Sequence, residues 1–336
     1  MHALSSIYNH RQGVVYKKTI GNYTVRTDGE AITCEISSRL RKELLYPTAD
    51  PNSLRHVVRE VKESKVLDPV AVGDRVEFVD TGNGSGLIVE VLPRKSKLVR
   101  RSAVPMPGQH AFEQVIVANV DQVVPILSAA QPAPKWNLLD RYLAAAESLE
   151  LPSLICITKM DLANQEDDEF NAELGMYRKI GYPIVLTSVV TGDGIEALRT
   201  ALRGRISVFI GKSGVGKSSL LNAMQPGLGL RINEVNRVTG KGKHTTTNLE
   251  MIPLDGGGGV VDTPGMREFG LWDVNSDDLA SFFPEMRPLL GQCHFGLSCR
   301  HDHEPGCALR QAVSSGQISP RRYQSYLNLV GDVNSS

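Results

Sequence analysis

Residues 211–218 read Gly211-Lys212-Ser213-Gly214-Val215-Gly216-Lys217-Ser218, between the apolar run Ile206-Ser207-Val208-Phe209-Ile210 and the stretch Ser219-Leu220-Leu221-Asn222-Ala223-Met224. A glycine-rich turn between a strand and a helix can close its backbone N–H groups around phosphate oxygens, and the helix N-terminus adds a favourable dipole. Lys217 is placed to bridge the terminal phosphates and Ser218 to ligate Mg²⁺, with Ser219 beside them. This is chemistry for a nucleoside triphosphate.

The choice of base rests on Thr158-Lys159-Met160-Asp161. The Asp161 carboxylate can accept hydrogen bonds from two guanine N–H donors, and the Lys159 stem can lie over the base; adenine lacks that donor pair. The usual motif begins with Asn, so Thr158 is a departure. Ser188-Val189 occupies the second base-contacting position, with Val189 where Ala is common. Further on, Asp262-Thr263-Pro264-Gly265 follows a strand-like run. There Asp262 can hold a Mg²⁺-bound water, and Gly265 can offer its N–H to a γ-phosphate. The segment Gly240-Lys241-Gly242-Lys243-His244-Thr245-Thr246-Thr247 lies between, and one of its threonines, with Thr246 the first choice, completes the Mg²⁺ shell.

The guanine-reading segment precedes the phosphate loop, whereas an ordinary GTPase opens with that loop. The reversed order marks a circularly permuted GTPase. It places the segments 244–247 and 262–266 immediately before the end of the chain, where Cys293-x₅-Cys299-x-His301-x₅-Cys307 brings three thiols and an imidazole within 15 residues. That set suits a closed tetrahedral zinc site stapling a tail too small to fold alone. His303 is the substitute ligand should His301 face away. Cys34 and Cys156 lie in apolar strands and read as core residues.

The elements that must position these residues fall into two rhythms. From 13 to 99 the pattern is β-rich and alternates with period two, as in Ala31-Ile32-Thr33-Cys34-Glu35-Ile36 and Asp74-Arg75-Val76-Glu77-Phe78-Val79. Five or so short strands ending in the basic run Arg94-Lys95-Ser96-Lys97-Leu98-Val99-Arg100-Arg101 suggest an OB-type barrel, a fold whose face and loops bind RNA or serve only as a scaffold. A charged stretch over 40–68 interrupts it. After Val104-Pro105-Met106-Pro107-Gly108 strands alternate with helices, which implies a mainly parallel sheet. The expected fold is therefore multidomain α/β: an N-terminal OB-type β-barrel (1–103), a central circularly permuted P-loop GTPase domain (104–273) and a C-terminal α-helical zinc-binding domain (274–336).

Composition bounds the class. The 336 residues carry 37 Lys and Arg against 37 Asp and Glu, which excludes a protein bathed in positive potential; residues 1–101 are locally basic, with 17 against 12. No apolar run approaches the roughly 18 residues of a membrane helix. The first 11 residues hold no signal-peptide stretch, so a cytoplasmic protein is expected. Five cysteines, three crowded late, argue against a disulfide framework.

An OB-like barrel, a permuted GTPase and a Cys-Cys-His-Cys tail, in that order, resemble the RsgA (YjeQ) family of small-ribosomal-subunit biogenesis GTPases over nearly the whole chain. Other residues that look like the family are Ile116-Val117-Ala118-Asn119-Val120-Asp121-Gln122, Leu139-Asp140-Arg141 and Arg322-Tyr323-x-x-Tyr326. The resemblance implies a monomeric cytoplasmic enzyme that binds the 30S subunit and its 16S rRNA late in maturation, hydrolyses GTP to GDP when stimulated, and leaves. Met266 stands where many GTPases carry the Gln that orients the attacking water. His244 is the expected catalytic residue instead, brought to the water when the ribosome orders its loop. The competing readings are a P-loop ATPase and an RNA-binding module stabilised by nucleotide without significant turnover.

Overall fold

Alternating valines and aromatics bury one face of each early strand, and that face closes on itself. The computed structural model describes residues 9–19, 21–45, 70–101, 113–164, 166–230, 250–262 and 274–334. Strands β1 (His10–Lys18), β2 (Tyr23–Thr27), β3 (Glu30–Ile36), β4 (Arg75–Gly82) and β5 (Ser85–Val91), with α1 (Ser38–Leu45) after β3, form a closed barrel in the order β1-β2-β3-β5-β4. All its pairings are antiparallel except β3 with β5. Inside lie Val15, Val25, Cys34, Val76, Phe78 and Ile88, all fully buried. Each large apolar side chain removed from water contributes about 1.5–3 kcal/mol.

The basic run does not close this barrel. Its strand β6 (Lys97–Arg101) pairs antiparallel with β7 (Glu113–Ala118), and the strand missing from the expectation is β2. The reason is local. Arg94 forms a two-pronged pair with the fully buried Asp74 (Nε to Oδ1 and Nη2 to Oδ2, both 2.7 Å), which pins the chain as it leaves β5. Asn119 then holds the following residue, accepting from the Lys95 N–H at 2.9 Å while donating to the Gly73 carbonyl at 3.0 Å.

The chain divides into two compact units. The first holds 1–121, 204–206 and 241–262, and so the barrel and the β6–β7 pair. The second, 122–203, 207–240 and 263–336, begins with β8 (Gln122–Ser128), buried along its whole length, and α2 (Trp136–Ser148). It continues through β9 (Ile155–Thr158), α3 (Asp168–Ile180), β10 (Ile184–Leu186), α4 (Ile195–Leu202), residues 207–210 of β11 (Arg205–Ile210) and α5 (Lys217–Met224). Its parallel pairings run β10-β9-β8-β11. Strands buried on both faces in a parallel sheet need near-continuous apolar runs, as β8 and β9 have. The antiparallel hairpin of β12 (Met251–Pro253) and β13 (Gly258–Asp262) belongs to the first unit. The tail returns to the second with several 3-10 turns, α6 (Ala308–Ser314) and α7 (Pro320–Asn334).

Helix α3 was not anticipated, although its signals are ordinary. The Asp167 side chain caps it by accepting from the Phe170 N–H at 3.0 Å, Gly181 ends it with a left-handed φ of 112°, and Phe170, Leu174 and Tyr177 form its buried stripe.

Candidate functional site

The buried end of β11 delivers the phosphate loop and α5 takes over at Lys217. Gly211 passes so near β8 that a Cβ would stand 2.5 Å from the Ile126 carbonyl oxygen, and Gly216 enters α5 at φ 96°. Both positions therefore demand glycine. The Lys217 ammonium folds back over the loop, donating to the Gly211 carbonyl at 2.9 Å and the Lys212 carbonyl at 3.4 Å. Ser218 is buried one residue into the helix.

The segment expected to read guanine, 158–161, is built against this loop, Thr158 meeting Val215 from 57 residues away in sequence. Thr158, at the buried end of β9, turns its hydroxyl toward the Leu127 carbonyl (3.2 Å) and the Val215 carbonyl of the phosphate loop. One hydroxyl proton serves one of these at a time, so the shorter side chain still ties the two segments together. Lys159 takes a left-handed backbone, φ 57°, and its ammonium donates to the Gly214 carbonyl at 2.7 Å and to the Gln131 carbonyl. Met160 and Asp161 follow in a 3-10 turn, fastened by the Met160 N–H to the Thr187 carbonyl at 3.2 Å. The buried Ser188 hydroxyl donates to Asp161 Oδ1 at 2.6 Å and accepts from the N–H groups of Val190 and Thr191, both at 3.2 Å. Its one proton thus goes to the carboxylate and its lone pairs to the turn. Val189 is partly exposed just beyond.

The structure brings together residues 158–161, 188–189 and 211–219 of the expected nucleotide site. Asp262 closes β13 in the first unit. His244, Thr246 and Gly265, with Thr263, Pro264 and Met266, lie outside the described residues, as does most of the 40–68 stretch.

In the tail, Cys293, Cys299, His301 and Cys307 are buried, with one ligand atom from each and all four within 4.8 Å of one another. Cys293 Sγ lies 3.4 Å from His301 Nδ1 and 4.0 Å from Cys307 Sγ, and Cys307 Sγ lies 3.6 Å from the same nitrogen. A tetrahedron with bonds of about 2.3 Å has edges of about 3.8 Å, so the donors fit one metal ion. His303 turns away, its side chain 83% exposed beside Asp302. The set is fixed from behind: the Ala308 N–H donates to Cys293 Sγ at 3.3 Å, and Tyr323 donates its phenol proton to the His301 carbonyl at 2.5 Å. Cys34 and Cys156 are fully buried elsewhere, and burial pushes both thiols up to about 12, so neither is a reactive thiolate.

A buried ionic cluster escaped the sequence reading. Asp140 of α2, fully buried, accepts from Arg321 Nη1 at 2.6 Å, from Arg322 Nη1 at 2.8 Å and from the Tyr177 phenol at 2.5 Å. Arg322, 1% exposed, also grips Glu285 with two bonds of 2.7 and 2.9 Å and lies 4.6 Å from the Phe283 ring centre. Burial opposes its charge, but Asp140 and Glu285 hold the guanidinium pKa well above its ordinary value. Leu139-Asp140-Arg141 and Arg322-Tyr323-x-x-Tyr326 stand out in the sequence as family-like segments, but nothing there pairs them; the physical clue is an aspartate embedded in the apolar stripe of Leu139 and Leu143.

The RsgA GTPase family model matches residues 91–272. The chain is 44% identical over 268 residues to the small ribosomal subunit biogenesis GTPase RsgA of Pseudomonas aeruginosa, covering 80% of this chain and 77% of that one. It is 36% identical over 323 residues to the protein of the same name from Bacteroides fragilis, covering 96% of each. Among solved structures it is similar to YjeQ from Thermotoga maritima (34% identity, TM-score 0.73, 98% of this chain and 100% of that one). It is also similar to YloQ, a circularly permuted GTPase (29% identity, TM-score 0.69, 100% and 98%). With the Thr158–Asp161 turn built against a glycine-rich loop that follows it in sequence, and the Cys3His tail beyond, the chain belongs to the RsgA GTPase family.

Proposed function

We propose that this protein is a GTP hydrolase acting in late assembly of the small ribosomal subunit, binding the 30S particle and its 16S rRNA and leaving once GTP has become GDP and phosphate. The observation that carries the nucleotide half of this reading is the Asp161–Ser188 pair beside the phosphate loop. It fixes the Asp161 carboxylate beside that loop with its second oxygen able to accept from two guanine donors, which supports the reading. The assembly half rests on family membership and on the relatives' names.

In this reading Lys159 and Asp161 take the base, with Thr158, Met160, Ser188 and Val189 shaping the turn. Residues 211–219 take the phosphates. Ser218, Thr246 and Asp262 would hold Mg²⁺, which when bound neutralises charge building on the phosphate oxygens. Gly265 would donate its N–H to the γ-phosphate. The Cys3His set would hold one structural Zn²⁺, the ion that three thiolates and an imidazole favour. The protein would work as a cytoplasmic monomer with three functional segments, 1–103, 104–273 and 274–336, carried on two compact units, the last segment sharing a unit with most of the second.

His244 would orient the attacking water when the 30S particle engages its segment, since the Met266 thioether has no N–H or O–H to do so. His244→Ala should bind GTP as the wild type does and lose most of the increase in phosphate release that 30S subunits cause. Stimulation of the same size in the variant would sink the assignment. For the function as a whole, phosphate release is titrated with purified 30S subunits; no rise above the protein alone would exclude a subunit-dependent GTPase.

A further inference from the structure

Two side-chain-bearing residues with left-handed backbones touch beside the phosphate loop: Lys159 at φ 57° and Gln131 at φ 50°. Such conformations are uncommon away from glycine and persist where the surroundings over-determine them. Here the contact is the Lys159 ammonium on the Gln131 carbonyl, with the Gly214 carbonyl as its second acceptor at 2.7 Å.

Gln131 is itself held in place. Ser128, the last residue of β8, donates its hydroxyl to the Pro132 carbonyl at 2.7 Å. Pro132 and Ala133 line a small apolar recess together with Lys212 and Val215 of the phosphate loop. The Lys135 carbonyl then accepts from the Leu138 and Leu139 N–H groups at 3.0 and 3.1 Å and starts α2. The first turn of that helix is gripped by the tail helix α7: Asn137 Oδ1 accepts from Ser325 Oγ at 3.0 Å and from Arg321 Nη1 at 3.5 Å. One turn further on, Asp140 takes Arg321 and Arg322.

We propose that segment 128–135 is a positioning arm for Lys159, anchored at its far end by α7, so that the metal-binding tail sets nucleotide affinity from the guanine side. The proposal rests on the reading of Lys159 as the residue that covers the base. Two carbonyls on one ammonium immobilise the four-carbon stem before nucleotide arrives, which spares that ordering cost on binding. Loosening the arm withdraws one of the two carbonyls. Gln131 is thus a positioning residue that acts through its main chain, and side-chain conservation at that position is not required for the role.

The test is a set of double-mutant cycles read as affinity for a fluorescent GDP. Ser128→Ala loosens the arm and Arg321→Lys loosens its anchor, with Ser325→Ala as a second anchor variant should Arg321→Lys fail to fold by thermal unfolding. Each is measured alone and combined with Lys159→Met, which removes the ammonium and keeps the stem. With Lys159 present, each variant should weaken GDP binding about threefold to tenfold, the range of one to two lost hydrogen bonds. In the Lys159→Met background the same changes should cost nothing further. Unchanged affinity in the arm or anchor variant, or an equal loss in both backgrounds, overturns the proposal. Should Lys159→Met bind too weakly to measure, amide hydrogen exchange decides: Arg321→Lys must speed exchange at Gln131, Ala133 and Lys135, and unchanged rates overturn it. Failure of the wild type to bind GDP would instead overturn the guanine reading itself.

Discussion

In the proposed site, base choice would come down to one carboxylate and the hydroxyl that aims it. Asp161 Oδ1 receives the Ser188 proton, which leaves the other oxygen and the remaining lone pairs for donors on a base. Replacing the carboxylate by an amide inverts half of that pattern, so Asp161→Asn should weaken GDP binding about 10- to 100-fold, the range for a hydrogen bond to a charged group, and leave ADP binding where it was. Equilibrium binding of both nucleotides checks this, and an unchanged ratio would remove Asp161 from the base site. The phosphate loop stands out in the sequence because its geometry follows from its glycines and its flanking strand, and the structure sets 158–161 and 188–189 beside it, while His244, Thr246 and Gly265 lie outside the described residues. Ser188 could be named from its position, but its role as the aiming hydroxyl needed the structure. Gln131 was not legible at all, because a carbonyl belongs to every residue and leaves no mark in a sequence.

At the scale of elements, the tail is bound to α2 and α3 by a buried polar cluster as well as by apolar packing on Ala144. Asp140 satisfies two guanidinium groups and a phenol in an interior where an unpaired charge is costly. Its removal is therefore far worse than the loss of a surface pair. Asp140→Ala should cost about 3–5 kcal/mol of unfolding free energy, measured as a shift of the denaturant midpoint. A loss below about 1 kcal/mol, the worth of an exposed pair, would mean water reaches the cluster. By contrast Arg141→Ala, which breaks the more exposed pair with Asp332, should stay within that smaller range. The limits of the sequence reading have the same physical origin. Periodicity revealed β8, β9, β11 and α2 because they are strongly apolar. Helix α3 is polar over most of its surface, and only its cap, its stop and three buried side chains betray it. Charge and alternation suit the basic run to the barrel but say nothing of pairing partners, and the Arg94–Asp74 pair that diverts it joins residues 20 apart.

For the whole molecule, the permuted order sets 244–247 and 262–266 before the tail in sequence, and in the proposed reading nucleotide state would pass to the tail through the chain itself. The tail nevertheless belongs to the same compact unit as α2 and α3. Its core joins Cys293, Cys299 and Cys307 to Leu279, Phe283, Met286, Tyr326 and Leu329, and takes in Ala144 of α2. Three thiols in an apolar core are stable as thiolates only while a cation balances them, so stripping the metal must either protonate them or open the cluster. Because the cluster backs α7 through Tyr323 on the His301 carbonyl, and α7 holds Asp140, the damage should not stay in the tail. Chelation at neutral pH should therefore lower the melting temperature of the second unit by about 5 °C or more, given about 2–4 °C per kcal/mol at this size. It should weaken GDP binding in parallel, and added Zn²⁺ should restore both. A chelated protein with unchanged melting and unchanged GDP affinity would show that the cluster carries no structural ion. A separate early transition with unchanged GDP affinity would show a tail that folds on its own and sends nothing to the guanine side.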